Sequence, residues 1–141
     1  MRAPHFLTPL IQSGASRAGG YALTIDGRAA VLASTIEPAF DSKTRNRGLL
    51  GRDRLADGTA LIIAPSNSVH TFGMRFAIDL IYAARDGRVV KIRAAVPRSR
   101  ISLALGAFAV IEMAAGSAEK AGLRAGDRLV LKSTHEGSRK E

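Results

Sequence analysis

Four ionisable side chains stand where the sequence otherwise reads as the interior of a sheet. His70, Arg75 and Asp79 fall within HTFGMRFAIDLIY (70–82), and Glu112 falls within AFAVIEMA (107–114). Two carboxylates brought together could divide the work of general acid and general base, one of them with a raised pKa. An imidazole at the strand entrance, titrating near neutrality, would complete a hydrolase-like site built from His70 with Asp79 or Glu112. The same residues also fit a purely structural role, because a buried carboxylate without a partner costs several kcal/mol or takes up a proton. Arg75 and Asp79 cannot satisfy each other directly. Four strand residues at ~3.3 Å each separate them by about 13 Å. Their partners must come from a neighbouring strand or from the 42–55 segment, and Arg47, Arg52 and Glu112 are the first to consider.

The elements that must position these groups are short and punctuated by turns. YALTIDGRAAVLASTI (21–36) holds two apolar runs around Asp26-Gly27, and RVVKIRAAV (88–96) returns from Asp86-Gly87, so two hairpins are expected. Asp41 or Ser42 can cap a helix through Lys43–Arg47 that Gly48 would end. Ser117 can cap a second over SAEKA, followed by a turn at Gly126-Asp127 into the last strand. TALIIA (59–64) is a wholly apolar strand. In 70–82 the period-two pattern puts Phe72, Met74, Phe76, Ile78, Leu80 and Tyr82 on a core face, and Arg75 with Asp79 on the other. About seven strands with two short helices predict a mainly β fold, a compact antiparallel β-barrel-like single domain over 21–132. No helical pattern is long enough to suggest a parallel crossover. Residues 1–20 are expected to be a flexible tail and 133–141 a polar one.

Composition removes several function classes. The chain has no cysteine, and His5, His70 and His135 have no ligand spacing, so neither a metal nor a thiol nucleophile is expected. GxxxxGK[ST], GxGxxG and GxSxG are all missing, which disfavours phosphate-loop nucleotide binding and serine hydrolysis, and no cofactor is expected. There is no run of eighteen apolar residues, so no transmembrane segment is expected. The N-terminal stretch, interrupted by Pro9, points to a cytoplasmic protein, or an exported one if the true start lies upstream. A net charge of +9 suits an acidic partner, including weak, non-specific nucleic-acid binding, although the arginines are spread among acids.

The order TRNRGLLGR (44–52), L-x-x-G (55–58), HTFGMRFAIDLIY, DGRVV (86–90), AVIEMAAGSA (109–118) and GLRAGDRL (122–129) resembles the bacterial and archaeal family catalogued as domain of unknown function 192. The resemblance spans roughly residues 22–131 and implies a compact, β-rich, barrel-like domain with no established reaction. Arg47, Gly48, Leu49 and Arg52 fit its arginine-glycine-leucine element. His70, Thr71, Met74 and Asp79 fit its central strand, and Glu112, Gly116, Gly126 and Asp127 fit its last two elements. Phe72-Gly73-Met74 stands where many relatives have a tryptophan-methionine pair, and Ala77 where a proline is usual. The functional expectation is a non-catalytic ligand- or protein-binding module in which Arg47, Arg52, His70, Arg75, Asp79 and Glu112 form a charge network. Nucleic-acid binding and hydrolysis are the alternatives.

Overall fold

The structure is a computed structural model and describes residues 4–12 and 20–134. The described residues form helix α1 (Thr8–Gln12), strands β1 (Tyr21–Ile25), β2 (Val31–Ala33) and β3 (Thr35–Ala39), helix α2 (Ser42–Arg47), and strands β4 (Thr59–Ile63), β5 (Ser68–His70), β6 (Ile78–Ala83), β7 (Val89–Val96), β8 (Ile101–Leu103) and β9 (Ala109–Ala114). Helix α3 (Ser117–Ala121) and strand β10 (Leu129–Ser133) complete them. The mainly β expectation holds, but the sheets do not close into a barrel. They are a five-stranded sheet ordered β3-β4-β9-β6-β7, a three-stranded sheet β10-β1-β2 and a two-stranded ribbon β5-β8.

The central sheet is covered on both faces, which explains why its sequences are continuously apolar. Every residue of β4 and β6 is buried, as is all of β9 except Ala114. On one face Ile62, Ile81, Ile111 and Met113 pack with Leu23, Ile25 and Leu129 of the three-stranded sheet. On the other, Leu61, Leu80 and Val110 pack with Leu49, Leu55 and Met74. A strand between two apolar layers has no wet side, so period-two alternation cannot report which way a side chain points.

Three expectations change. First, β3 and β4 pair in parallel, Thr35 opposite Thr59 through Ala39 opposite Ile63, so residues 40–58 form a crossover that contains α2. Fewer than two turns of helix plus irregular chain span that distance, so the crossover does not require the longer helical pattern that the sequence lacks. Second, 70–82 is not one strand. Thr71 is buried, its hydroxyl donating to Pro97 O at 2.8 Å and accepting from the Arg100 N–H at 2.8 Å, and Gly73 turns the chain at φ +81°. The strand resumes only at Ile78, and Phe72, expected in the core, is 47% exposed. Third, within the segment read as an N-terminal tail, Leu7 and Leu10 of the α1 region are buried in the core, and the Phe6 N–H donates to Arg85 O at 2.8 Å. Residues 1–3, 13–19 and 135–141 of the two expected tails lie outside the described residues.

Both hairpins form. β1 pairs with β2 across Asp26-Gly27, and β6 with β7 across Asp86-Gly87. At Gly87, φ +92°, a side chain would collide with the carbonyl of Leu129, so the turn depends on glycine both conformationally and sterically. No helix among the described residues is long and apolar enough to cross a membrane.

Candidate functional site

The two buried acids face opposite sides of the central sheet. Asp79 pairs across the ladder with Met113, and Glu112 with Leu80 on one side and Leu61 on the other. Met113 belongs to the core layer beneath the three-stranded sheet, and Leu61 and Leu80 to the layer beneath α2 and β5. The register therefore separates the carboxylates by the thickness of the sheet. They cannot share a proton or a substrate.

Asp79 is fully buried and fully employed. One carboxylate oxygen accepts the Ala95 N–H at 2.9 Å and the Gly116 N–H at 3.2 Å; the other accepts the Ala118 N–H at 2.9 Å. Ala95 lies in a bulge of β7, where the register advances by an extra residue between Ile78 and Leu80, and its φ of +50° is unusual for a residue with a Cβ. Asp79 thus ties that bulge to the first turn of α3. It takes the capping role expected of Ser117, whose hydroxyl instead donates back to Ala114 O at 2.6 Å. The sequence suggests Ser117 because it opens SAEKA; the acceptor that serves the helix comes from a strand 39 residues away in the chain.

The arginines are distributed as well. Arg52 clasps Glu37 of β3 with two hydrogen bonds, at 2.6 and 3.2 Å, and Arg75 pairs with Asp53 at 2.7 Å on the surface. Asp127 at the last turn accepts the Arg124 N–H at 2.9 Å and pairs with Arg28 at 3.3 Å, while the Gly126 N–H donates to Val89 O at 2.8 Å. Of the six residues expected to form a single network, Arg75 and Asp79 are thus held apart from the rest, and Arg52 is hydrogen-bonded to Glu37 while acting on Glu112 only through its charge. Glu37 and Asp53 went unsingled in the sequence, although Glu37, an acid inside TIEPA, carried the same signal as Asp79 and Glu112.

Three of the six do meet, around a cleft of about 330 Å³ between α2 and β5. Asp41 caps α2, accepting the Thr44 N–H at 2.8 Å, and Gly48 ends it as expected, so the chain turns there and presents Arg45 and Arg47 along one bank. Ser68 and His70 of β5 form the other, the His70 ring stacked on Phe72 with centroids 5.2 Å apart. Leu49, Ile63, Met74 and Glu112, all nearly inaccessible, line the interior.

Glu112 is the anomaly of the site. It is 5% exposed, and its Oε1 is a buried side-chain atom with no hydrogen-bond partner among the described residues. Burial pushes its carboxyl up to about 7, and the opposing pull of Arg52 only partly offsets this. Arg47, across the cleft, is exposed and forms no ion pair among the described residues. Arg45 is steadied by donating to Phe40 O at 3.2 Å and to Ser42 Oγ at 3.4 Å. No group of His, Asp and Glu residues suited to holding a metal ion occurs among the described residues.

Residues 22–131 match the family known as domain of unknown function 192, DUF192, described as "Uncharacterized ACR". The chain belongs to this family. The DUF192 fold seen here is similar to that of a protein of unknown function from Novosphingobium aromaticivorans, with 25% identity and a TM-score of 0.69 over 77% of this chain and 82% of the other. It is also similar to a protein from Sinorhizobium meliloti described as a "putative transcription regulator", with 26% identity and a TM-score of 0.70 over 82% of this chain and 95% of the other. No curated protein matches the chain in sequence.

Proposed function

We propose that this DUF192 protein is a non-catalytic ligand-binding module whose site is the cleft between α2 and β5. The observation that carries the reading is Glu112, a buried acid lining a cavity with an oxygen left unpaired. Burying such a group costs free energy that the fold recovers only when something in the cleft supplies the missing hydrogen bond. The cavity is at the lower end of the size range of small-molecule pockets, and its lining is more polar than is usual for them: apolar side chains such as Leu49, Ile63 and Met74 lie inside, while arginines, serines and His70 stand on the banks. Freshly purified protein, denatured and extracted, should release a small molecule detectable by mass spectrometry. Ser68→Trp, which places an indole at the exposed rim, should release none. Equal release from both proteins, or none from either, would remove the reading.

A second reading is proton-transfer catalysis, favoured by His70 and Glu112 lining one cleft. His70 is stacked on Phe72 and is held by no described acid, so it has no partner to orient it as catalytic histidines require. Turnover of any ester or amide substrate that is lost in both His70→Gln and Glu112→Gln would establish it.

The basic surface supports at most weak nucleic-acid binding. Its mark would be an affinity for labelled oligonucleotides that falls steeply with salt and is indifferent to Ser68→Trp.

A further inference from the structure

We propose that the cleft takes a small zwitterion with an apolar side chain, an amino acid or a short peptide, gripped at three points: carboxylate on the α2 arginines, ammonium on Glu112, side chain against the apolar lining. The inference rests on the ligand-binding reading above and names what that ligand must be.

Each contact answers a separate feature of the site. Arg47 is a cation with no described counterion, and Arg45, which lines the same cleft, has its guanidinium fixed by Phe40 O and Ser42 Oγ, so little of its side-chain freedom remains to be lost on binding. A guanidinium favours a planar carboxylate, which can accept two parallel N–H bonds from one fork. Opposite in sign and deeper, Glu112 has an acceptor oxygen without a donor. An anion alone could meet only the protonated form of Glu112 and would leave its carboxylate without a donor, and a cation alone would leave Arg47 unpaired. A molecule carrying both charges satisfies both. Of the remaining lining, Asn46, Ser68 and His70 are exposed at the rim and the Ser66 hydroxyl already donates to Ser68 O, whereas the buried and half-buried side chains Leu49, Leu50, Ile63, Val69 and Met74 are apolar, so a third substituent that reaches the interior meets apolar groups. Met74 adds a flexible thioether wall that can adjust to branched or linear chains.

Proton linkage gives the arrangement a signature. The groups around Glu112 are Arg52 with its partner Glu37, the Tyr82 hydroxyl, and Arg45, Arg47 and His70 across the cleft. In the empty cleft burial favours the protonated acid, and an ammonium favours the carboxylate. Binding therefore expels a proton, and affinity rises as pH passes upward through neutrality.

The test is a chemical-shift titration of the full-length protein, following the amides of Gly48, Leu49, Val69, His70 and Met74. The probes are L-leucine and L-leucyl-L-leucine, set against three compounds each lacking one group: 4-methylpentanoate, 3-methylbutylamine and glycine. One or both zwitterions should shift these amides, and each deletion should weaken binding about tenfold or more, the worth of one hydrogen bond to a charged group or one buried side chain. Which of the two zwitterions binds more tightly tells a free amino acid from a peptide end. Glu112→Gln should abolish the preference for L-leucine over 4-methylpentanoate, and Arg47→Ala the preference over 3-methylbutylamine. The proposal is overturned if neither zwitterion moves the amides, or if 4-methylpentanoate binds as well as L-leucine. The second outcome leaves the ligand-binding reading standing, because the cleft is then occupied by a simple acid. The first, joined to an empty extract from the native protein, removes both.

Discussion

Asp79 and Glu112 sit on neighbouring strands of one sheet, are equally inaccessible to water, and occupy equally apolar stretches of sequence, yet they have opposite fates. Asp79 accepts three backbone N–H groups that no ladder could serve, one from a bulge and two from the start of a helix. Glu112 faces the cleft with an oxygen unserved and a carboxyl pushed up to about 7. What separates them is the backbone on each side of the sheet. Where the chain leaves amides unpaired, a buried carboxylate repairs the fold; where the covering layer parts, the same group is left for something else to complete.

The contrast can be broken at either acid. Asp79→Asn is expected to have the largest effect, a loss on the order of 4 kcal/mol in denaturant unfolding. The amide keeps one acceptor for three donors and turns its own N–H₂ toward a backbone N–H. A loss below about 1 kcal/mol would show that the three bonds are worth no more than a surface contact.

Glu112→Gln is expected to act with the opposite sign. The folded-state pKa lies above the unfolded one, so the acid's contribution is fully present below about 4.5 and is lost as pH rises through about 7. That displacement corresponds to at most about 3 kcal/mol. The variant should therefore be more stable than the native protein at about pH 8 and indistinguishable from it at about pH 4. A pH-independent difference in urea midpoints would contradict the assignment. Arg52→Gln sharpens the same point, since Arg52 is the cation that holds the Glu112 pKa down. Its removal should move the Glu112 titration, followed by carboxyl NMR, to higher pH, and an unmoved midpoint would place the two groups out of electrostatic reach. Arg75→Ala should change stability least, by about 0.5 kcal/mol or less, because its pair with Asp53 is exposed on both sides.

The sequence revealed the presence of the site's parts better than their arrangement. The β class, both hairpins, Asp41 and Gly48 at the ends of α2, and the family itself could be read from local chemistry and motif order. The direction of Asp79 could not, because β6 is apolar on both faces and its alternation with 72–77 is interrupted by a turn held by Thr71 and Gly73. Nor could the arginine partners be read. Arg52 finds Glu37 and Arg75 finds Asp53 only because the β3–β4 crossover folds back beside its own strand. The capping of α3 was hidden for the same reason, since its acceptor lies 39 residues earlier.

The parallel pairing of β3 with β4 has a consequence for how such a site can diversify. Residues 40–58 leave the sheet at one strand and rejoin it at the adjacent one, so the segment can lengthen, shorten or change its charges without altering the register of any ladder. Arg45 lies on this span just ahead of the family's arginine-glycine-leucine element, which begins at Arg47, and Glu112 lies on a strand locked between two neighbours. A change of length or charge on this span would thus reshape one bank of the cleft and leave the interior acid in place, much as a lock accepts a new wards plate over the same bolt.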